Sequence, residues 1–118
     1  MRSKIINDKG ERSYALVFDT GDEPVSLLTR FAEEHGIKGA RFTAIGAFSE
    51  AVVGYFDWQR KDYDKIAIRE QVEVLALVGD IALAEGKPKL HAHVVLGSAT
   101  RALTAALCSK RACARRWK

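Results

Sequence analysis

The sequence predicts an α+β domain, a largely antiparallel sheet packed with one main helix. Three observations predict it. Helical spacing of apolar residues occurs once, over about residues 23–35; the other apolar runs are short and strand-like in composition; and most connections between them are brief. At 118 residues and 13.0 kDa the chain is one domain.

The elements follow in order. Residues 1–12 are polar and read as a flexible N-terminus. Tyr14-Ala15-Leu16-Val17-Phe18 has strand composition. Asp19 to Pro24 then supplies turn residues, a capping acid and a proline suited to a first helical turn. Leu27, Leu28, Phe31 and Ala32 follow at helical spacing, and Gly36 stops the helix. Residues 41–46 and 51–56 read as two strands that pair across a short linker, and 58–64 as a polar turn region. Strands follow at 65–69 and 72–78, with Ile81-Ala82-Leu83 a bent continuation past Gly79. Glu85-Gly86-Lys87-Pro88 is a turn, and Leu90 to Leu96 the last clear strand.

Composition narrows the function classes. A hydrophobic fraction of 47% with 29% charged residues suits a packed core and argues against disorder. No apolar run reaches the roughly 18–20 residues of a membrane span. The opening MRSKIINDKGERSY lacks a signal-peptide core, and two cysteines make no disulfide framework. Membrane, secreted and fibrous readings are excluded, and a cytoplasmic location is expected. The net charge of +4 would suggest a polyanionic partner. However, residues 98–118 hold Arg101, Lys110, Arg111, Arg115, Arg116 and Lys118 and no acid. Without those six, 13 of the 19 basic residues remain against 15 acids, a net of −2 over residues 1–97.

Leu90-His91-Ala92-His93-Val94-Val95-Leu96 carries the best candidate chemistry. On a strand, His91 and His93 point to one face about 7 Å apart. Two imidazoles so placed are a recurrent half-site for a metal such as zinc, which also needs a third ligand. The competing reading is a pair that hydrogen-bonds within the sheet or across a subunit contact. His35 sits near a helix end, with nothing to bring it to the pair. Glu73 is the second candidate, placed with Leu75 and Leu77 on one strand face. A carboxylate on so apolar a face needs a partner. It is a ligand, a general base or, more simply, half of an ion pair. Glu33 and Glu34 diverge on the helix and are solvated. No phosphate-binding glycine loop, dinucleotide fingerprint or nucleophile elbow is present, and Cys108 and Cys113 make a poor zinc signal. A classical hydrolase or nucleotide-binding enzyme is not supported.

The order of segments is more specific than any one of them. Ala40-Arg41-Phe42-Thr43-Ala44-Ile45-Gly46-Ala47-Phe48-Ser49, Gly54-Tyr55-Phe56-Asp57, Glu73-Val74-Leu75 leading to Gly79-Asp80-Ile81-Ala82, and Lys87 to Gly97 follow one another. This series resembles the "plants and prokaryotes conserved" (PPC) domain in its bacterial single-domain form, over about residues 13–97. The resemblance implies an α+β fold assembled as a homotrimer, with Phe42, Tyr55 and the histidine strand as interface candidates. In plants the domain follows an AT-hook and serves assembly and partner binding. No AT-hook is present here, and the plant partner motif falls on Glu70-Gln71-Val72-Glu73-Val74-Leu75, of which only the latter half is kept. In bacterial forms the His-x-His strand is followed by a Gly-Gly-His element, and the three histidines together look like a metal site.

Residues 98–118, SATRALTAALCSKRACARRWK, depart from the family pattern as an atypical basic tail. GC-rich codons for them, read one frame over, permit RDAGAHGGPLLEARVRATLE, which restores the family's His-Gly-Gly and Leu-Leu-Glu. A frameshifted tail is therefore expected, and its basicity is then accidental. If the tail is native, Arg111, Arg115 and Arg116 are phosphate-binding candidates. Two functions remain. The first is a DNA-binding or regulatory module, or a protein-assembly module, working as a homotrimer. The alternative is a zinc-dependent small-ligand site or enzyme built on His91 and His93, with Glu73 nearby.

Overall fold

A computed structural model describes residues 1–108 and 116–117. Strands β1 (Arg2–Asn7) and β2 (Ser13–Val17) form a two-stranded antiparallel ribbon. Residues 2–7, expected as part of a flexible start, are thus paired. Their side chains are all exposed, so no buried apolar alternation marked them as a strand.

Helix α1 (Pro24–Glu34) begins as its sequence dictates. The Glu23 carboxylate accepts from the backbone N–H of Val25 at 3.1 Å and of Ser26 at 2.8 Å, satisfying donors that an N-terminus leaves open. Gly36, at φ 62°, turns the chain off the helix, and Ile37 N–H donates back to the Ala32 carbonyl at 2.9 Å. Val25, Leu28, Phe31 and Ala32 are buried.

Strand β3 (Gly39–Asp57) is 19 residues long and organises the main sheet. Residues 41–46 and 51–56, expected as two paired strands, are one strand, and they do not pair with each other. The first part pairs with β5 (Val72–Ala84) and the second with β4 (Asp62–Ile68). Residues 81–83 do continue β5. Strand β6 (Lys87–Gly97) pairs with β5 across the turn at Glu85 (φ 53°) and Gly86 (φ 76°). Two successive positive φ values match the twist of a tight hairpin.

Strand β7 (Leu103–Cys108) pairs with β6 and meets β3 at Gly54, so β3, β5, β6 and β7 close on themselves. The backbone of β8 (Arg116–Trp117) pairs with β3 at Phe48 and Glu50. Residues 103–108, read from sequence as part of an atypical tail, therefore hold a place in the sheet. The inward faces bury Phe48, Val53, Val74, Leu77, Val94 and Leu96 against Val25 and Leu28 of α1. Each such side chain contributes about 1.5–3 kcal/mol relative to an exposed one.

Candidate functional site

Alternation along β6 positions the histidines. Leu90, Ala92, Val94 and Leu96 are buried, so His91 and His93 face outward and are exposed. Their ring centroids are 5.2 Å apart with planes at 86°. Two imidazoles this close supply half of a tetrahedral donor set, and nitrogen donors suit zinc. Among the described residues, no third His, Cys, Asp or Glu joins them in a cluster able to hold a metal ion. The described residues of one chain therefore fit the metal only in part.

Glu73 is placed differently from the expectation. Leu77 is buried while Glu73 and Leu75 are exposed, because the ladder is irregular between Val74 and Ala76. The irregularity shifts the strand by one residue and reverses which side faces the core. Glu73 thus lies on the outward face, in no need of a buried partner. It is in register with Gly97, four residues beyond His93 and so about 13 Å along β6. The structure does not bring it to the histidines.

Asp80 was missed in the sequence and stands closer. It is the cross-strand partner of His91 on β5 and of Arg41 on β3, giving an exposed row of Arg41, Asp80 and His91. The signal was available: a two-residue turn at Glu85-Gly86 fixes the register, pairing Ala84 with Lys87 and, four steps on, Asp80 with His91. His93 has Val78 as its β5 partner, and Thr43 follows on β3.

Beyond this row, exposed apolar residues lie on the strands around the pair: Ile45 (76% exposed), Val78 (53%), Leu75 (52%) and Leu103 (68%). Leu75 and Leu103 converge over Gly97, where both would touch an added Cβ. Phe42, an interface candidate by resemblance, instead points inward, packed against the core and over Gly79. Tyr55 is exposed on β3. His35 does not join the pair in a metal-binding cluster; it is stacked on Phe31 at the end of α1. Arg111 and Arg115 lie outside the described residues. Arg116 is described only in its backbone, in β8.

Comparison with known proteins gives a consistent family. A metal-containing protein from Archaeoglobus fulgidus is 34% identical, with a TM-score of 0.74 over 82% of this chain and 67% of that one. A plant- and prokaryote-conserved protein from Pyrococcus horikoshii is 27% identical, with a TM-score of 0.75 over 85% and 69%. A protein from Bacteroides thetaiotaomicron, provisionally described as DNA-binding, is 30% identical, with a TM-score of 0.74 over 84% and 68%. The search of curated proteins returned no match. The family model for the Plants and Prokaryotes Conserved (PCC) domain matches residues 6–115, beyond the 13–97 read from sequence on both sides. This chain belongs to the Plants and Prokaryotes Conserved domain family.

Proposed function

We propose that the chain is a regulatory module that works by assembly, a homotrimer whose outward sheet face is buried between copies. The observation that carries this reading is the exposed apolar set Ile45, Leu75, Val78 and Leu103 on the strands around His91 and His93. Exposed apolar side chains grouped on neighbouring strands favour a protein contact. The partner regulated is DNA or another protein. DNA is favoured by the description of the Bacteroides relative, and residues 98–118, if native, would supply six basic residues and no acid to its phosphates.

Sedimentation equilibrium tests both parts. The protein is expected at three times its chain mass, and Leu75→Arg is expected to sediment as a folded monomer. Labelled duplex DNA is expected to co-sediment at low salt and to dissociate steeply as salt rises, with Arg111→Ala, Arg115→Ala and Arg116→Ala together flattening that dependence. A wild-type monomer would remove the assembly reading, and unchanged binding by the triple variant would remove the DNA contact.

A second reading is a zinc-binding module. It is supported by the separation of His91 and His93 and by the metal-containing description of the Archaeoglobus relative. These two residues would hold the ion, and water or a neighbouring copy would complete its coordination. Zinc retained through chelator-free purification, and lost on His91→Ala, is the expected result. Equal zinc content in wild type and His91→Ala would end this reading.

A further inference from the structure

A crevice of about 740 Å³ opens between the β1–β2 ribbon, the end of α1 and the start of β3. Neither His91 nor His93 lines it. Its size falls within the range of small-molecule sites, and its lining mixes aromatic rings with a few charged groups, as such sites do.

The aromatic part is an unfinished stack. His35 lies on the buried Phe31 ring, with centroids 3.9 Å apart and planes at 25°. Tyr14 meets His35 edge-on at 5.6 Å and 72°, closing one side. His35 is itself exposed and lines the crevice, so part of the imidazole beyond its Phe31 contact is accessible from it. A carbonyl can only accept, so the 2.9 Å contact to the Phe31 oxygen fixes the hydrogen on Nδ1. The ring is thus held at its edge as well as on its face.

The charge of the crevice is opposite to that of the surrounding domain. Of the chain's 15 acids only Glu11 lines it, against Arg12, Lys38 and Arg41. Arg12 is paired with Asp8 at 2.7 Å, whereas Lys38 has no ion pair among the described residues. The C-terminus of α1 disfavours an anion. Its last carbonyls are already taken, however. The Phe31 carbonyl accepts from the His35 backbone N–H and Nδ1–H, the Ala32 carbonyl from Ile37 and the Glu33 carbonyl from Gly36. The cations therefore set the sign.

We propose that this crevice binds a small planar aromatic anion. Its ring extends the Phe31–His35 stack at the accessible part of the imidazole, and its anionic group is met by Lys38 and Arg12. Aromatic carboxylates and nucleoside monophosphates share this chemistry.

The test is a set of NMR titrations of the 15N-labelled full chain, following the amides of Tyr14, His35 and Lys38. The probes are adenosine monophosphate, 4-hydroxybenzoate, adenosine and inorganic phosphate. At least one of the two ring-bearing anions is expected to saturate these shifts with a Kd of ~1 mM or tighter. Which of them does so identifies the source of the ligand. Adenosine lacks the anion and phosphate lacks the ring, so each is expected to bind at least about tenfold more weakly. Lys38→Glu, at an exposed position, is expected to weaken binding by a similar factor without loss of fold. The proposal is overturned by no saturable shift from either anion at ~10 mM, by phosphate alone binding as well as the ring-bearing anions, or by Lys38→Glu binding undiminished.

Discussion

The β5–β6 and β3–β4 hairpins belong to one sheet and are held by different forces. In β5–β6 both strands are interior to the sheet, and Leu77, Ile81, Leu90, Ala92, Val94 and Leu96 are buried. In β3–β4 the second strand is an edge, exposed from Asp62 to Ala67. Its tip is organised by surface polar contacts. The Asp57 carboxylate accepts from the backbone N–H of Gln59 at 2.9 Å and of Arg60 at 3.2 Å, and Arg60 also pairs with Asp57 and Asp64. Phe56 adds ring contacts to Trp58 and Tyr63 at 5.2 and 5.0 Å. Positional precision follows the kind of force that holds each hairpin. A pair of histidines on β6 inherits the rigidity of the core beneath it, whereas the β3–β4 tip depends on charges that water and salt screen.

The larger effect is expected in the core hairpin. A Cβ on Gly79 would stand 2.4 Å from the His91 carbonyl oxygen, 2.6 Å from Phe42 Cζ and 2.8 Å from Ala92 Cβ. Two of those atoms belong to strand backbone or sit directly on it, so relief requires the β5–β6 spacing to widen. Gly79→Ala is expected to destabilise the protein by ~1–3 kcal/mol in urea unfolding. It should also change the 5.2 Å approach of His91 and His93. A fully stable Gly79→Ala protein would remove the claim that this hairpin is the stiffer one.

The smaller effect is expected at the tip, and it depends on pH. The Arg60 backbone N–H, then the Arg60 guanidinium and the Gln59 N–H, hold the Asp57 pKa below the usual carboxylate value. A depressed carboxyl pKa contributes stability that is present above the unfolded value of about 4 and lost as pH falls through the folded value. Acidification below about pH 4 should therefore loosen the tip while the core hairpin stays intact. In NMR titrations the Gln59 and Arg60 amides are expected to move with a midpoint below 4, with Val94 and Leu96 unmoved. An ordinary midpoint at Gln59 and Arg60 would show that the capping contacts are not maintained.

The same contrast explains what the sequence made legible. The helix was readable because Glu23, Pro24, Leu28, Phe31 and Gly36 each carry a local signal. The β6 strand was readable because Leu90, Ala92, Val94 and Leu96 alternate with exposed residues. The outward placement of His91 and His93 followed directly. Glu73 was misplaced because a ladder irregularity leaves no mark in a single strand's pattern; it exists only between β5 and its neighbours. The continuity of β3 was hidden for a related reason. Ala47 to Glu50 resembles a linker until Phe48 is seen at the centre of the core. Strand β1 offered no apolar pattern at all, and β7 shows itself only through its partners. The family, in contrast, was readable from the order of short motifs, and the comparisons bear it out.

The closure of β3 onto β7 at Gly54 and Leu107 imposes an order of assembly. The β5–β6 turn brings together residues a few positions apart, so this hairpin can form as soon as it is made. The β3–β7 seam joins residues more than fifty positions apart, and its loop-closure entropy is repaid only after the strands between them are in place. During synthesis β3 stays open at Gly54 until residues 103–108 have left the ribosome, and at Phe48 and Glu50 until residues 116–117 follow. For that interval the nascent chain carries two unpaired strand edges, at β3 and β6, and its risk of wrong pairing is greatest just before the last strand arrives.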